Sequence, residues 1–278
     1  MSVTKVLFIG NCQSAAIANM LNLNKDFFDV SLVHVHLTFD QDECLRLIQQ
    51  ADIIISQRIV DDVLGNAKTS VVLDNRKKQS RIILYNACYM KLYYFDLNYL
   101  IINNIPIEKP CAYHHKYIID SYKNDISIYD CYSNYINNPN LLNKDQLLEI
   151  FSNDIQELSL RYQEILQLND NSDIIDIIPF IIKEYKKKLL FYSINHPTNI
   201  LLEHIVKKII KILNINHYSI NNREKLPYPK CILHRSLSNI LEFDIQQHQP
   251  YIIQNNNQLD TLSIISEYYS IYRNIGIK

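Results

Sequence analysis

Glycine is the most telling shortage: the 278-residue chain has 3, Gly10, Gly65 and Gly276. A dinucleotide fingerprint needs three glycines close together, and a P-loop needs two ahead of its lysine. Neither can be assembled here, which disfavours Rossmann-type NAD binding and Walker-type ATP binding. Excess charge is also lacking, since the formal net charge is -1. Nonspecific nucleic-acid binding rests on a basic field and is therefore not expected. No apolar run reaches the length of a membrane span, and the stretch Tyr99 to Ile107 is interrupted by Asn103 and Asn104. The 6 cysteines, Cys12, Cys44, Cys88, Cys111, Cys131 and Cys231, form no Cys-x-x-Cys pair. The N-terminus runs into a strand pattern without signal-peptide architecture. These features together predict reduced thiols and a cytoplasmic location.

What is present is a globular balance. Hydrophobic residues make up 47% and charged residues 21%, enough to build a sizeable core rather than a disordered chain. The first half alternates strand and helix patterns. Strands are expected at Lys5–Gly10, Phe28–Val35, Ala51–Ser56 and Arg81–Tyr85, with helices at Cys12–Leu23, Asp40–Gln50 and from Asp62 onward. Such alternation implies parallel strands with helices on both faces. The second half predicts a long helix over Leu141–Leu168 with Asn143 as its cap. A further helix is expected over Asp173–Lys188, a short strand at Leu189–Ser193, and a helix from Pro197 to about Leu213. Leu226 and the Pro-Tyr-Pro that follows it cannot be regular helix. The fold class expected is therefore α/β: a three-layer parallel-sheet core over residues 1–110 and a mainly helical part over 111–278. A strand near 189–194 would return to the same core, making one compact unit.

In open parallel sheets, ligands bind beyond the carboxyl ends of the strands. Three polar clusters fall at such ends: Gly10-Asn11-Cys12-Gln13-Ser14, Ser56-Gln57-Arg58 and Ser193-Ile194-Asn195-His196-Pro197. They are read together as one crevice. A thiol at a helix start meets the positive end of the helix dipole and unpaired amides. Both favour the thiolate, and the amides around Asn11 to Ser14 could receive an anion or a carbonyl. Cys12 is equally compatible with a small buried residue, as many free cysteines are. His196 is the expected partner, able to take a proton from the thiol, although a capping or exposed histidine reads the same way. His114 and His115 are rival bases, as are His34 and His36 after the second strand. Asp61 and Asp62 are candidates to orient the imidazole. His34 and His36 share one strand face but have no third ligand in view, so no metal site is expected. The run Asn75–Arg81 and Arg58 could meet phosphates, with a solvated surface as the plainer reading of the run.

The segment Phe8-Ile9-Gly10-Asn11-Cys12-Gln13, with the later Phe191-Tyr-Ser-Ile-Asn195-His196-Pro197-Thr-Asn199, resembles the WcbI-type polysaccharide biosynthesis proteins. Gln57 fits the same pattern, and the resemblance spans roughly residues 5 to 215. It implies binding of coenzyme A or acetyl-coenzyme A and transfer of an acyl group, acetyl in the first instance, to a sugar in bacterial capsule or surface polysaccharide synthesis. It also implies a site centred on Cys12 with His196, where Gly10, Asn11, Gln13, Ser14, Gln57, Arg58, His114, His115, Asn195 and Asn199 bind substrate or cofactor. A small-molecule or glycan substrate follows. The motif placement also looks like that of SGNH-type hydrolases, with cysteine in place of serine and Ser193 where an Asp-x-x-His pair would begin. A cysteine-variant esterase or deacylase is thus the second reading, and a non-catalytic glycan-assembly module the third. The first should bind coenzyme A, the second should ignore it, and the third should tolerate Cys12→Ala.

Overall fold

The computed structural model describes residues 3–60, 62–168, 171–223, 225–226, 230–248, 253–254 and 257–277. In chain order the strands and α-helices are β1 (Thr4–Gly10), α1 (Cys12–Leu21), β2 (Phe28–His34), α2 (Gln41–Gln50), β3 (Ile53–Gln57), α3 (Thr69–Asn75) and β4 (Arg81–Tyr85). Then follow β5 (Leu97–Tyr99), β6 (Ile101–Ile102), β7 (Ile105–Pro106), β8 (Tyr113–His115), α4 (Lys116–Lys123), α5 (Ile128–Cys131) and α6 (Lys144–Leu166). The remainder is β9 (Asp173–Ile175), α7 (Ile178–Glu184), β10 (Phe191–Ser193), β11 (His196–Pro197), α8 (Asn199–Leu213), β12 (Ile253–Gln254), β13 (Asn257–Gln258) and α9 (Thr261–Asn274). Among the described residues, no helix is long and apolar enough to cross a membrane.

The chain divides into two compact units, each made of three stretches. The first comprises Met1–Cys88, Gln156–Ile182 and Pro197–Leu226. Its centre is a five-stranded sheet in the order β2-β1-β3-β4-β9, parallel throughout. The apolar run Val6 to Ile9 makes β1 a central strand, because a parallel strand covered on both faces has no polar side to present. Leu7, Ile9, Ile54, Ile82 and Leu84 pack with Cys44 and Ile48 of α2 and Val72 of α3. The other flank carries α1, which packs beside α8. Local chemistry fixes the helix starts. Asp40 accepts from the amides of Asp42 and Glu43 at 2.8 and 2.9 Å and so caps α2.

The second unit comprises Tyr89–Ile155, Lys183–His196 and Pro227–Lys278. Its described elements are mostly helical, joined by short antiparallel pairs: β5 with β8, β6 with β7, and β12 with β13. Its core is rich in tyrosine. Tyr268, Tyr269 and Tyr272 of α9 pack with Ile118 of α4 and Cys131 of α5. At the start of α6, Asn143 and Gln146 exchange hydrogen bonds between side chain and amide at 2.9 and 3.0 Å, a reciprocal cap.

The parallel α/β core and the mainly helical later part match the sequence expectation. Three details differ. The single boundary expected near residue 110 is not where the chain divides, because residues 156–182 supply β9 to the sheet and 197–226 supply α8. Asp173–Lys188 is not one helix. Its first three residues form β9, and Pro179 stands second in α7, where a missing amide hydrogen costs nothing. The strand at Phe191–Ser193 does not return to the sheet. It turns through Ile194 and Asn195 and pairs with β11, and the edge place beside β4 belongs to β9. Residues 227–229, read as irregular from their prolines, lie outside the described residues.

Candidate active site

The order β2-β1-β3 reverses direction between β1 and β3, and such switch points open a crevice at the carboxyl ends of their strands. Two of the three predicted clusters meet there, within the first unit. Gly10 ends β1 and Gln57 ends β3. A Cβ on Gly10 would stand 2.5 Å from Gln57 Oε1 and 2.8 Å from Ser14 Cβ, so only glycine lets these groups close. The Asn11 amide donates to Gln57 Oε1 at 2.7 Å. Gln57 Nε2 donates to Gln13 Oε1 at 3.2 Å. Gln13 in turn grips the backbone of Cys88: Nε2 donates to the carbonyl at 2.9 Å and Oε1 accepts from the amide at 2.8 Å. Gln13, Ser14 and Gln57 are buried, whereas Cys12 is half-buried. The network therefore fixes the turn and leaves the thiol at its rim.

Two electrostatic expectations change. The amides around Asn11 to Ser14 are mostly engaged within the turn. Asn11 caps α1 by accepting from the Gln13 amide at 2.9 Å, and its carbonyl accepts from the Ser14 amide at 3.0 Å. They do not form an open anion site. The Cys12 thiol is also not driven toward thiolate. Burial pushes its pKa up, and the bonds from the Gln13 and Cys12 amides only partly oppose that rise. The helix terminus acts in the expected direction, but desolvation is larger. Cys12 should therefore alkylate slowly with iodoacetamide at pH 7, and its rate should climb about tenfold per pH unit to beyond pH 9. Peptide-resolved rates that level off below pH 8 would contradict this.

The remaining first-unit candidates have structural partners. Arg58 forms an ion pair with Glu164 of α6. Asn199 holds the loop after α8: its Nδ2 donates to the carbonyls of Asn222 and Arg223 at 3.0 and 3.2 Å, and its Oδ1 accepts from the Lys225 amide at 3.1 Å. In the basic run, Lys77 pairs with Asp52 at 2.7 Å and Arg81 with Asp173 at 3.2 Å. Asp61 lies outside the described residues, as does the side chain of Asp62. Sequence reasoning missed Tyr85, whose buried phenol faces the Ser14 hydroxyl without a close hydrogen bond. Its place at the end of β4 was the available signal.

His114, His115 and His196 belong to the second unit. His114 is buried with both ring nitrogens engaged, Nδ1 with the Tyr272 hydroxyl and Nε2 with the Ile107 carbonyl, each at 3.0 Å. Burial lowers its pKa. His115 is buried against Asp96, Nδ1 to Oδ1 at 2.9 Å. Both nitrogens of His114 are thus engaged, whereas His115 is held through Nδ1 alone. His115 Nε2 and His196 Nδ1 are each buried without a hydrogen-bond partner, and burial lowers the His196 pKa, leaving a neutral imidazole at pH 7. The His196 ring stands edge-on to Tyr113, 6.1 Å between centroids, and the Tyr113 hydroxyl donates to Asn195 Oδ1 at 2.5 Å.

The fold and this turn define a parallel α/β protein with a cysteine at the β1/β3 switch point. The chain belongs to the WcbI polysaccharide biosynthesis enzyme family, whose sequence profile matches residues 5–217. A solved structure of WcbI, described as native protein without a disulfide bond between coenzyme A and one of its cysteines, is similar over 98% of this chain and 91% of that one. The identity is 17% and the TM-score 0.79, a likeness of fold. A diflavin flavoprotein A3 from Nostoc sp. is 13% identical over 31% of this chain and 60% of its own, with a TM-score of 0.25 that carries no argument. No functionally curated protein matches the chain significantly.

Proposed function

We propose that this enzyme transfers an acyl group, acetyl in the first instance, from coenzyme A to a sugar in the synthesis of a bacterial capsule or surface polysaccharide, in the cytoplasm. The observation that carries the reading is the half-buried Cys12 thiol, fixed at the switch point by the Gly10, Asn11, Gln13 and Gln57 network. A solved WcbI structure, described as native protein without a disulfide bond between coenzyme A and one of its cysteines, supports the choice of ligand. The residues present fit the thiol end of that ligand, since Cys12 offers a reactive atom at the rim of a rigid turn. They do not identify a phosphate clamp, because Arg58 and Lys77 are already paired.

A thioester supplies an activated acyl carbon. In the first route, Cys12 attacks that carbon, its proton passes to a base, and the coenzyme thiol leaves. A sugar hydroxyl then takes the acyl group and restores the Cys12 thiol. His196 is proposed as the base, because burial favours the neutral imidazole that can accept a proton. In the second route, His196 activates the sugar hydroxyl directly and Cys12 only positions the thioester. Cys12→Ser separates the two: transfer should be abolished in the first and merely slowed in the second. Wild-type transfer that survives Cys12→Ala undiminished would remove both routes.

A further inference from the structure

The strands β5 and β8 pair antiparallel, and their register sets Tyr99 opposite Tyr113. Tyr113 is buried, whereas Tyr99 is 52% exposed. Their rings tilt together with centroids 5.0 Å apart. The Tyr99 hydroxyl donates to the Tyr113 hydroxyl at 3.3 Å, and that hydroxyl donates to Asn195 Oδ1 at 2.5 Å. Tyr113 also stands edge-on to His196, so a row of contacts runs from an exposed ring to the proposed base. All four residues belong to the second unit. A core tyrosine would be covered, and an ordinary surface tyrosine would turn its hydroxyl to water. Tyr99 does neither: its hydroxyl is tied inward while the residue stays half in solvent. We propose that Tyr99 is the platform on which the pyranose ring of the sugar acceptor stacks, beside His196. The role of that sugar rests on the acyl-transfer reading above; its binding does not.

The chemistry of the group suits such a ligand. Asn195 Oδ1 can only accept, so the single hydroxyl hydrogen of Tyr113 is committed to it, and the hydrogen of Tyr99 is committed to Tyr113. Each bond in the chain polarises the next. The Tyr99 oxygen keeps its lone pairs for an incoming hydroxyl. Its ring face is electron-rich and attracts C–H groups that carry partial positive charge. A pyranose presents a face of such C–H bonds, rimmed by hydroxyls that both donate and accept. The anchored phenol is fixed before the sugar arrives, so little side-chain freedom is lost on binding. Tyrosine, asparagine and a neutral imidazole bring no net charge, which favours a neutral ring over a phosphate. A sugar held on Tyr99 then has His196 in the same cluster, two ring contacts from the platform.

The test is saturation-transfer difference NMR on the full chain, free of coenzyme A. The probes are the methyl pyranosides of glucose, galactose, mannose and N-acetylglucosamine. At least one should bind saturably at concentrations up to roughly 20 mM, with its strongest signals on ring C–H protons. Tyr99→Ala removes a half-exposed ring and should fold normally, which its melting curve checks. Its affinity for that pyranoside should fall about tenfold. Tyr99→Phe keeps the ring face and should retain most of the binding. Equal affinity in Tyr99→Ala and wild type would overturn the proposal, as would Tyr99→Phe binding no better than Tyr99→Ala. Failure of all four pyranosides to bind the wild type would overturn it too. A wild type that binds a pyranoside through Tyr99 but not coenzyme A would uphold the platform and remove the transfer reading.

Discussion

Gly10→Ala should lower the stability of the protein by roughly 3 kcal/mol. The new methyl group would stand 2.5 Å from Gln57 Oε1 and 2.9 Å from its Cδ, well inside contact distance. Gly10 also has φ near +156°, a backbone angle that side-chain-bearing residues rarely adopt. Relief requires Gln57 to move, and Gln57 is buried with no room to swing into solvent. Its departure would leave the Asn11 amide without its 2.7 Å acceptor and remove the support under Gln13. The thermal midpoint should fall on the order of 8 °C. Cys12 should lose its fixed position, so activity should fall more than the folded fraction does. A Gly10→Ala protein with unchanged melting and unchanged turnover would show that the turn is not built on this close approach.

Asp96→Ala should destabilise the protein by about 3–5 kcal/mol, the cost of leaving one member of a buried polar pair alone. Asp96 and His115 are both almost fully buried, and their 2.9 Å contact is the one each ring or carboxylate makes most directly. Asp96→Asn keeps an acceptor for the imidazole and should cost far less. The pH dependence has a definite sign. Burial works to raise the Asp96 pKa, but the nearby His115, by charge and hydrogen bond, holds it below the ordinary carboxylate value. A carboxyl group with a lower pKa in the folded state stabilises the fold above its unfolded pKa. That contribution is lost as pH falls through the folded value. Wild-type stability should therefore drop below about pH 4, and the Asp96→Ala protein should lack that part of the drop. Chemical denaturation at a series of pH values measures both.

Much of the first unit is legible in the sequence because its signals are local. The run Val6 to Ile9, the Gly-Asn-Cys-Gln turn, the Asp40 cap and the Asn143 cap each sit within a few residues of the structure they determine. Gln57 was also readable, from its place at a strand end. Other features depend on partners distant in the chain. Arg58 looks like a phosphate ligand until Glu164 is placed beside it, and Asn199 like a site residue until Asn222, Arg223 and Lys225 are bonded to it. The strand β9 is only three residues long and runs into a helix, so periodicity could not separate them. Cys12 shows the same limit in electrostatics. A helix start is visible in sequence, but the burial that outweighs it is not.

The central claim is that Cys12 marks the place where the thiol end of coenzyme A is held. Calorimetric titration of coenzyme A into the wild-type protein and into Cys12→Ala tests it most directly. Saturable binding to the wild type, weakened about tenfold in Cys12→Ala, is the predicted result, equivalent to about 1.4 kcal/mol lost at that contact. No binding heat at millimolar coenzyme A, or equal affinity in the two proteins, would contradict it.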